Sequence, residues 1–247
     1  MHPDPFESVN HRPYAGIESI RTQRKDLVMR KVFPSIGIAL GLLFVSGCVE
    51  GGNGLDKVNG SVHVAAGRHV GDTSTVNGSI DIDHDAVVTG AETVNGGIAL
   101  GSHAHANSLE TVNGSIQLDP GAEVVHTATS VNGDLRLANG SRVGGKLSNV
   151  NGQITLDHAG VGGGIETTNG DVTIGAGSTV SGGLHVQKPG MSFWGHAARK
   201  PKIVIGPNAV VDGPLQFDRE VDLLVAPSAK IGPVSGARPQ PYAGQAP

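Results

Sequence analysis

Pairs of aliphatic residues separated by one variable position recur along the chain. They are Val62/Val64, Ile80/Ile82, Ile98/Leu100, Ile116/Leu118, Leu135/Leu137, Ile154/Leu156 and Val172/Ile174. The residue between varies freely: His63, Asp81, Ala99, Gln117, Arg136, Thr155, Thr173. This period-two alternation predicts short strands with one face buried and one wet. Each pair follows an Asn-Gly step, in Val-Asn-Gly copies beginning at Val58, Val76, Val94, Val112, Val131 and Val150 and in a seventh copy, Thr168-Asn169-Gly170. Successive copies are spaced by 18, 18, 18, 19, 19 and 18 residues. A weaker alternation follows each pair, as in Ala86/Val88, Ala122/Val124, Ser141/Val143 and Ser178/Val180, and a third short stretch leads into the next Asn-Gly. Three short strands per 18 or 19 residues describe one coil of a triangular β-helix.

Asn-Gly is also the strongest two-residue hairpin signal, so a meander of hairpins competes with this reading. Identical turns at fixed spacing instead imply translational symmetry, with one equivalent corner per coil. At such a corner glycine is expected to supply a positive φ and asparagine to hydrogen-bond its counterparts above and below as a ladder. The apolar placement of Ile203 to Val211 matches that of Val172 to Val180, and Leu223 to Ile231 is a further degenerate copy. The expected fold is therefore all-β, a single-stranded parallel β-helix of about nine coils over residues 55–236, roughly 43 Å long at one strand spacing per coil. Residues 188–202 interrupt the period as an insertion, and the proline-rich stretch 237–247 is expected to leave the stack as a disordered tail.

Composition fits a narrow, repeated core. The 247 residues include 38 glycines and only 3% aromatics, with 16% charged residues, so small aliphatics must supply the burial that aromatics provide in rounder domains. The net charge of −4 gives no basis for a nucleic-acid partner. A single cysteine excludes an internal disulfide framework.

That cysteine has a context of its own. Met29-Arg30-Lys31 precedes an apolar run from Val32 to Val45, and Val45-Ser46-Gly47-Cys48 follows. A short positive segment, a short apolar core and small residues before a cleavage point describe a secretory signal peptide over 29–47, too short for a comfortable membrane span. Signal peptides open a chain, so Met29 is the expected initiator, with residues 1–28 an artefact of the assigned start or a disordered extension. Residues 48–54, which include Gly51-Gly52-Asn53-Gly54, read as a flexible tether.

Two family resemblances follow from these motifs. Val45 to Cys48 resembles the lipobox of bacterial lipoproteins, which implies a lipidated Cys48, palmitate among its acyl chains. Val49 and Glu50 follow Cys48 with no Asp directly after it, which by the sorting pattern of enteric bacteria implies the outer membrane, facing the periplasm or the surface. The Val-Asn-Gly-Ser-Ile coils resemble the bacterial putative-adhesin β-solenoids, and Ile203 to Gly213 resembles the polymer-forming bactofilins. Both imply a right-handed β-helix without an active site, and the second implies end-to-end self-association. Bactofilins are usually cytoplasmic, whereas this signal exports the chain.

Candidate chemistry concentrates in the insertion. It carries Lys188, Arg199, Lys200 and Lys202 with no acidic residue, together with Phe193, Trp194 and His196. The coils from Leu55 to Gln187 carry 13 acidic and 5 basic residues, a formal −8. A basic, aromatic loop on an acidic rod is a candidate interaction site for an anionic glycan or envelope partner. The competing reading is an insertion whose Phe193 and Trp194 cover the solenoid wall. Asp83, Asp119 and Asp157 share one column and His84 and His158 the next, but adjacent strand residues face opposite ways, so no metal site is expected. No catalytic constellation and no cofactor motif is recognised. The expected function is a non-enzymatic, lipid-anchored structural, adhesin-like or scaffold role; the alternative is a carbohydrate-binding or carbohydrate-processing β-helix.

Overall fold

The computed structural model describes residues 54–189 and 199–242, and every regular element among them is a strand. The aliphatic pairs form one wall. Val62–Val64, Ile80–Ile82, Ile98–Leu100, Ile116–Leu118, Leu135–Leu137, Ile154–Leu156, Val172–Ile174, Lys202–Ile205, Asp222–Val225 and Gln240–Pro241 make a 10-stranded parallel sheet in chain order. Each residue lies over its equivalent one repeat on, as in Val62↔Ile80 and Ile80↔Ile98, and the register survives the insertion as Val172↔Ile203 and Ile174↔Ile205. The fold is a parallel β-solenoid of about nine coils. The hairpin alternative falls because all strand pairing, including every pair in this wall, is parallel.

The rest of each coil belongs to a 16-stranded sheet. Val87–Asn95, His105–Asn113 and Glu123–Asn132 run unbroken around the bend between the second and third strand positions. Later coils break there into Arg142–Val143 and Leu147–Asn151. The break coincides with glycine runs packed too closely for a side chain: a Cβ on Gly144 would sit 2.4 Å from the Val125 carbonyl oxygen, and one on Gly162 2.2 Å from that of Gly144.

The core is three stacked columns. All seven aliphatic pairs are at most 2% exposed, as are Ala86/Val88, Ala122/Val124 and Val143. The third column runs Ala91, Leu109, Ala128, Leu147, Ile165, Leu184, Leu215, each buried and each in register with the next. Burying one such leucine stabilises by about 1.5–3 kcal/mol, and every coil repeats the gain. A polar column also faces inward at the Asn-Gly corner. Thr75, Thr93, Thr111 and Ser130 donate their hydroxyls to the carbonyls of Gly60, Gly78, Gly96 and Gly114 in the preceding coil, at 2.9–3.0 Å. Asn149 takes the same role with its Nδ2 on Gly133, 2.8 Å away.

The corner departs from expectation in one respect. Among the ladder glycines only Gly60 and Gly152 have a positive φ, +104° and +129°. The others are required by close approach: a Cβ on Gly96 or Gly114 would lie 1.9 Å from the carbonyl oxygen of the glycine one coil before. The left-handed corner is a different one, before the second strand position, where Gly67, Asp85, His103, Gly121, Gly140, His158, Gly177 and Asn208 all have φ between +48° and +74°. The tail is also corrected. The chain does not leave the stack at Ala237, because Gln240–Pro241 pairs in parallel with Leu224 and Val225 and extends the first wall by a partial strand.

Candidate functional site

The Asn-Gly corners create a continuous external feature. Seven asparagines, one per coil from Asn59 to Asn169, form a single file in which each Nδ2 donates to the Oδ1 of the preceding asparagine. The six contacts measure 2.9–3.0 Å. The side-chain amide dipoles therefore align, leaving an acceptor at the Asn169 end. Arg219, fifty residues on, occupies it: Nη1 donates to Asn169 Oδ1 at 2.8 Å and to the Thr168 carbonyl at 3.0 Å, and Nη2 donates to the Arg199 carbonyl at 2.9 Å. A planar guanidinium suits this forked task where a lysine ammonium would not.

Four of the basic residues expected to form an interaction loop fall among the described residues. Lys188 is exposed. Arg199 is held against the rod by Asp171, Nη2 to Oδ2 at 2.8 Å, and the backbone N–H of Lys202 donates to the other oxygen of Asp171 at 2.8 Å. Lys202 opens a strand of the first wall rather than closing the loop. Lys200 pairs with Glu220 at 2.8 Å. That hydrogen-bonded pair raises the Lys200 pKa and lowers that of Glu220, chiefly through the hydrogen bond. Two of the four cations are thus matched to carboxylates of adjacent coils. Phe193, Trp194 and His196 lie outside the described residues, as does Cys48.

A second polar cluster had no counterpart in the sequence reading. A shallow groove of about 280 Å³ runs beside the glycine corner, floored by Gly163, Gly164, Gly182, Gly183 and Pro214. Lys146, Glu166, His185 and Gln216 line it. Lys146 Nζ lies 2.6 Å from Glu166, which also accepts from the Gln187 amide. His185 Nε2 lies 2.7 Å from Asp218, and Gln216 donates to the same carboxylate at 3.0 Å. These contacts hold the Asp218 carboxyl below its usual range, the Gln216 bond first and the His185 bond second. The only available signal was the period itself: once Ile165, Leu184 and Leu215 are aligned as a column, Glu166, His185 and Gln216 must share the outward one.

Near the first coils the outward column is acidic. Asp56, Ser74, Glu92 and Glu110 are consecutive partners across the strands. Burial, then the charges of Asp72 and Asp56, raises the Glu92 pKa. Burial, then Glu92, raises that of Glu110. Asp83 and Asp119 do share a column, but no group of three or more potential metal ligands converges among the described residues. Among these residues, too, no helix is long and apolar enough to cross a membrane. Comparison with protein-family models, with curated proteins and with solved structures finds no match.

Proposed function

We propose that this chain is a non-enzymatic rod held at the bacterial cell envelope, at the outer membrane, by a lipid on Cys48, with a structural or adhesin-like role. The observation that carries the reading is the placement of the stack. Leu55 opens the first strand only seven positions after Cys48. Six intervening residues reach about 20 Å at full extension, so a lipid on Cys48 would hold the first strand within that distance of a membrane surface. Metabolic labelling with radioactive palmitate, followed by membrane fractionation, tests the anchor. Label and membrane association are expected in the wild type and lost together in Cys48→Ser; a Cys48→Ser protein that stays in the membrane fraction refutes the reading.

Both ends of the stack carry groups that oppose strand addition, which favours single rods over end-to-end polymers. Lys57 fills in the first coil the inward column that threonine fills in the next, and its Nζ caps the Ser61 carbonyl at 2.5 Å. Inward-pointing lysine is a recognised guard of open sheet edges. The last coil carries Pro227, Pro233, Pro239 and Pro241, none of which can donate to a further strand. Sedimentation over a concentration series is expected to show one discrete species, and Lys57→Val is expected to promote association. Concentration-dependent growth of the wild type into filaments returns the role to a polymer-forming scaffold. A carbohydrate-binding role is the second reading, favoured by the groove of Lys146, Glu166, His185 and Gln216, and is tested by glycan-array binding that Glu166→Gln abolishes.

A further inference from the structure

We propose that Asn139-Gly140 is a site of spontaneous deamidation, and that the asparagine ladder shields the Asn-Gly steps from Asn77 to Asn169 within it from the same chemistry. The dipeptide is the one most exposed to this reaction, because glycine leaves its own backbone nitrogen unhindered. The Gly140 nitrogen loses its proton to base and attacks Asn139 Cγ. A nitrogen–carbon bond forms, the Cγ–Nδ2 bond breaks and Nδ2 leaves as ammonia, closing a five-membered imide. Water then opens the imide at either carbonyl, leaving aspartate or isoaspartate at position 139.

Eight Asn-Gly steps lie wholly among the described residues, and seven of them are the ladder. For an inner ladder residue the attack requires Cγ to swing off the file, breaking the bond it donates and the bond it accepts. For Asn113 these are the 3.0 Å bond to Asn95 and the 2.9 Å bond from Asn132. Asn169 is held likewise between Asn151 and Arg219. Asn139 sits outside the file, in the left-handed corner before Gly140 at φ +73°. It is exposed, and its side chain makes no hydrogen bond among the described residues. The bond of the attacking N–H does not distinguish the two classes, since Gly140 N–H donates to His158 at 3.0 Å much as Gly114 N–H donates to Asn132 at 3.0 Å. The side chain does.

The consequence reaches the fold. Aspartate in the ladder would turn a carboxylate oxygen toward the Oδ1 of its neighbour, acceptor against acceptor, whereas aspartate at 139 faces solvent. The folded rod therefore tolerates aspartate at 139, whereas isoaspartate there inserts a carbon into the backbone between the Gly121 N–H bond to Asn139 and the Gly140 N–H bond to His158. Each unfolding exposes the ladder sites to the same irreversible change.

The test is peptide mapping by mass spectrometry of the purified chain, incubated in mildly alkaline buffer at physiological temperature, folded and in concentrated urea. Two hydrogen bonds of ordinary net strength protect each inner ladder residue, so conversion at Asn139 in the folded chain is expected to run at least about tenfold faster than at Asn95, Asn113 or Asn132. Urea is expected to bring all of them to similar rates. Arg219→Gln, which frees the Asn169 acceptor, is expected to speed conversion at Asn169 but not at Asn113. Equal rates at Asn139 and the inner ladder residues in the folded chain, or an Asn139 intact in the folded chain and converted only in urea, would overturn the proposal.

Discussion

Replacing Gly114 by alanine tests the stacking of coils at its tightest point. The added Cβ would stand 1.9 Å from the Gly96 carbonyl oxygen, well over 1 Å inside any tolerable contact. Neither partner can yield, because both are backbone. The two coils must then separate locally by about 1 Å, which takes their hydrogen bonds beyond useful range. Four bonds cross this gap: Gly96 N–H to the Asn113 carbonyl at 3.1 Å, Ile98 N–H to the Ser115 carbonyl at 2.9 Å, Asn113 Nδ2 to Asn95 at 3.0 Å and Thr111 Oγ1 to Gly96 at 2.9 Å. At about 1 kcal/mol net each, Gly114→Ala costs about 4 kcal/mol. Gly60→Ala is the matched control. It has the same motif and the same corner, but nothing lies within 4 Å of its Cβ. Only its φ of +104° opposes the substitution, at about 1–2 kcal/mol. Urea denaturation followed by circular dichroism measures both. If Gly114→Ala costs no more than Gly60→Ala, close approach is not what requires glycine at these corners.

Three further outcomes follow from the surface. Glu92 and Glu110 have raised pKa values when folded, so each binds its proton more tightly folded than unfolded. That contribution is fully present below the unfolded carboxylate pKa and is lost as pH climbs through the raised folded values. The thermal midpoint advantage of Glu92→Gln/Glu110→Gln over wild type is therefore expected at neutral pH and to vanish on acidification through that window; an advantage independent of pH contradicts it. Arg219→Ala removes three hydrogen bonds at the end of the ladder and is expected to cost about 2–3 kcal/mol in urea denaturation; a cost within error of zero contradicts the capping role. His158 holds φ +48°, and its contact with Asp157 is exposed on both sides. His158→Gly is expected to stabilise by about 0.5 kcal/mol by the same assay, and a loss of similar size contradicts the strain.

Most of the coil was legible in the sequence. The aliphatic pairs and the fixed Asn-Gly spacing lead directly to parallel stacking, because each column of valine, isoleucine and leucine can be aligned without gaps. The asparagine ladder was legible for the same reason. The role of its glycine was not: a turn signal reports conformation, whereas the requirement at Gly96 and Gly114 comes from a carbonyl one coil away. Arg219 was hidden because it caps the ladder across an insertion that breaks the count, and Asp171 and Glu220 stayed unmatched to Arg199 and Lys200 on the same account. The left-handed corner was masked by its chemistry, since Asp85, His103, His158 and Asn208 stand where glycine would have announced it. The groove of Glu166, His185 and Gln216 lies in an outward column, where the hydrophobic period carries no information about which polar residues meet.

Distances between spin labels along one outward column test the central claim most directly. In a Cys48→Ser background, cysteine pairs at His63 with Gln117, with Arg136 and with Thr155 span three, four and five coils of the first wall. Stacked coils predict backbone separations of about 14, 19 and 24 Å, rising by one strand spacing per coil. Separations that fail to grow in equal steps, or that shorten as coils are added, contradict a chain wound in register upon itself.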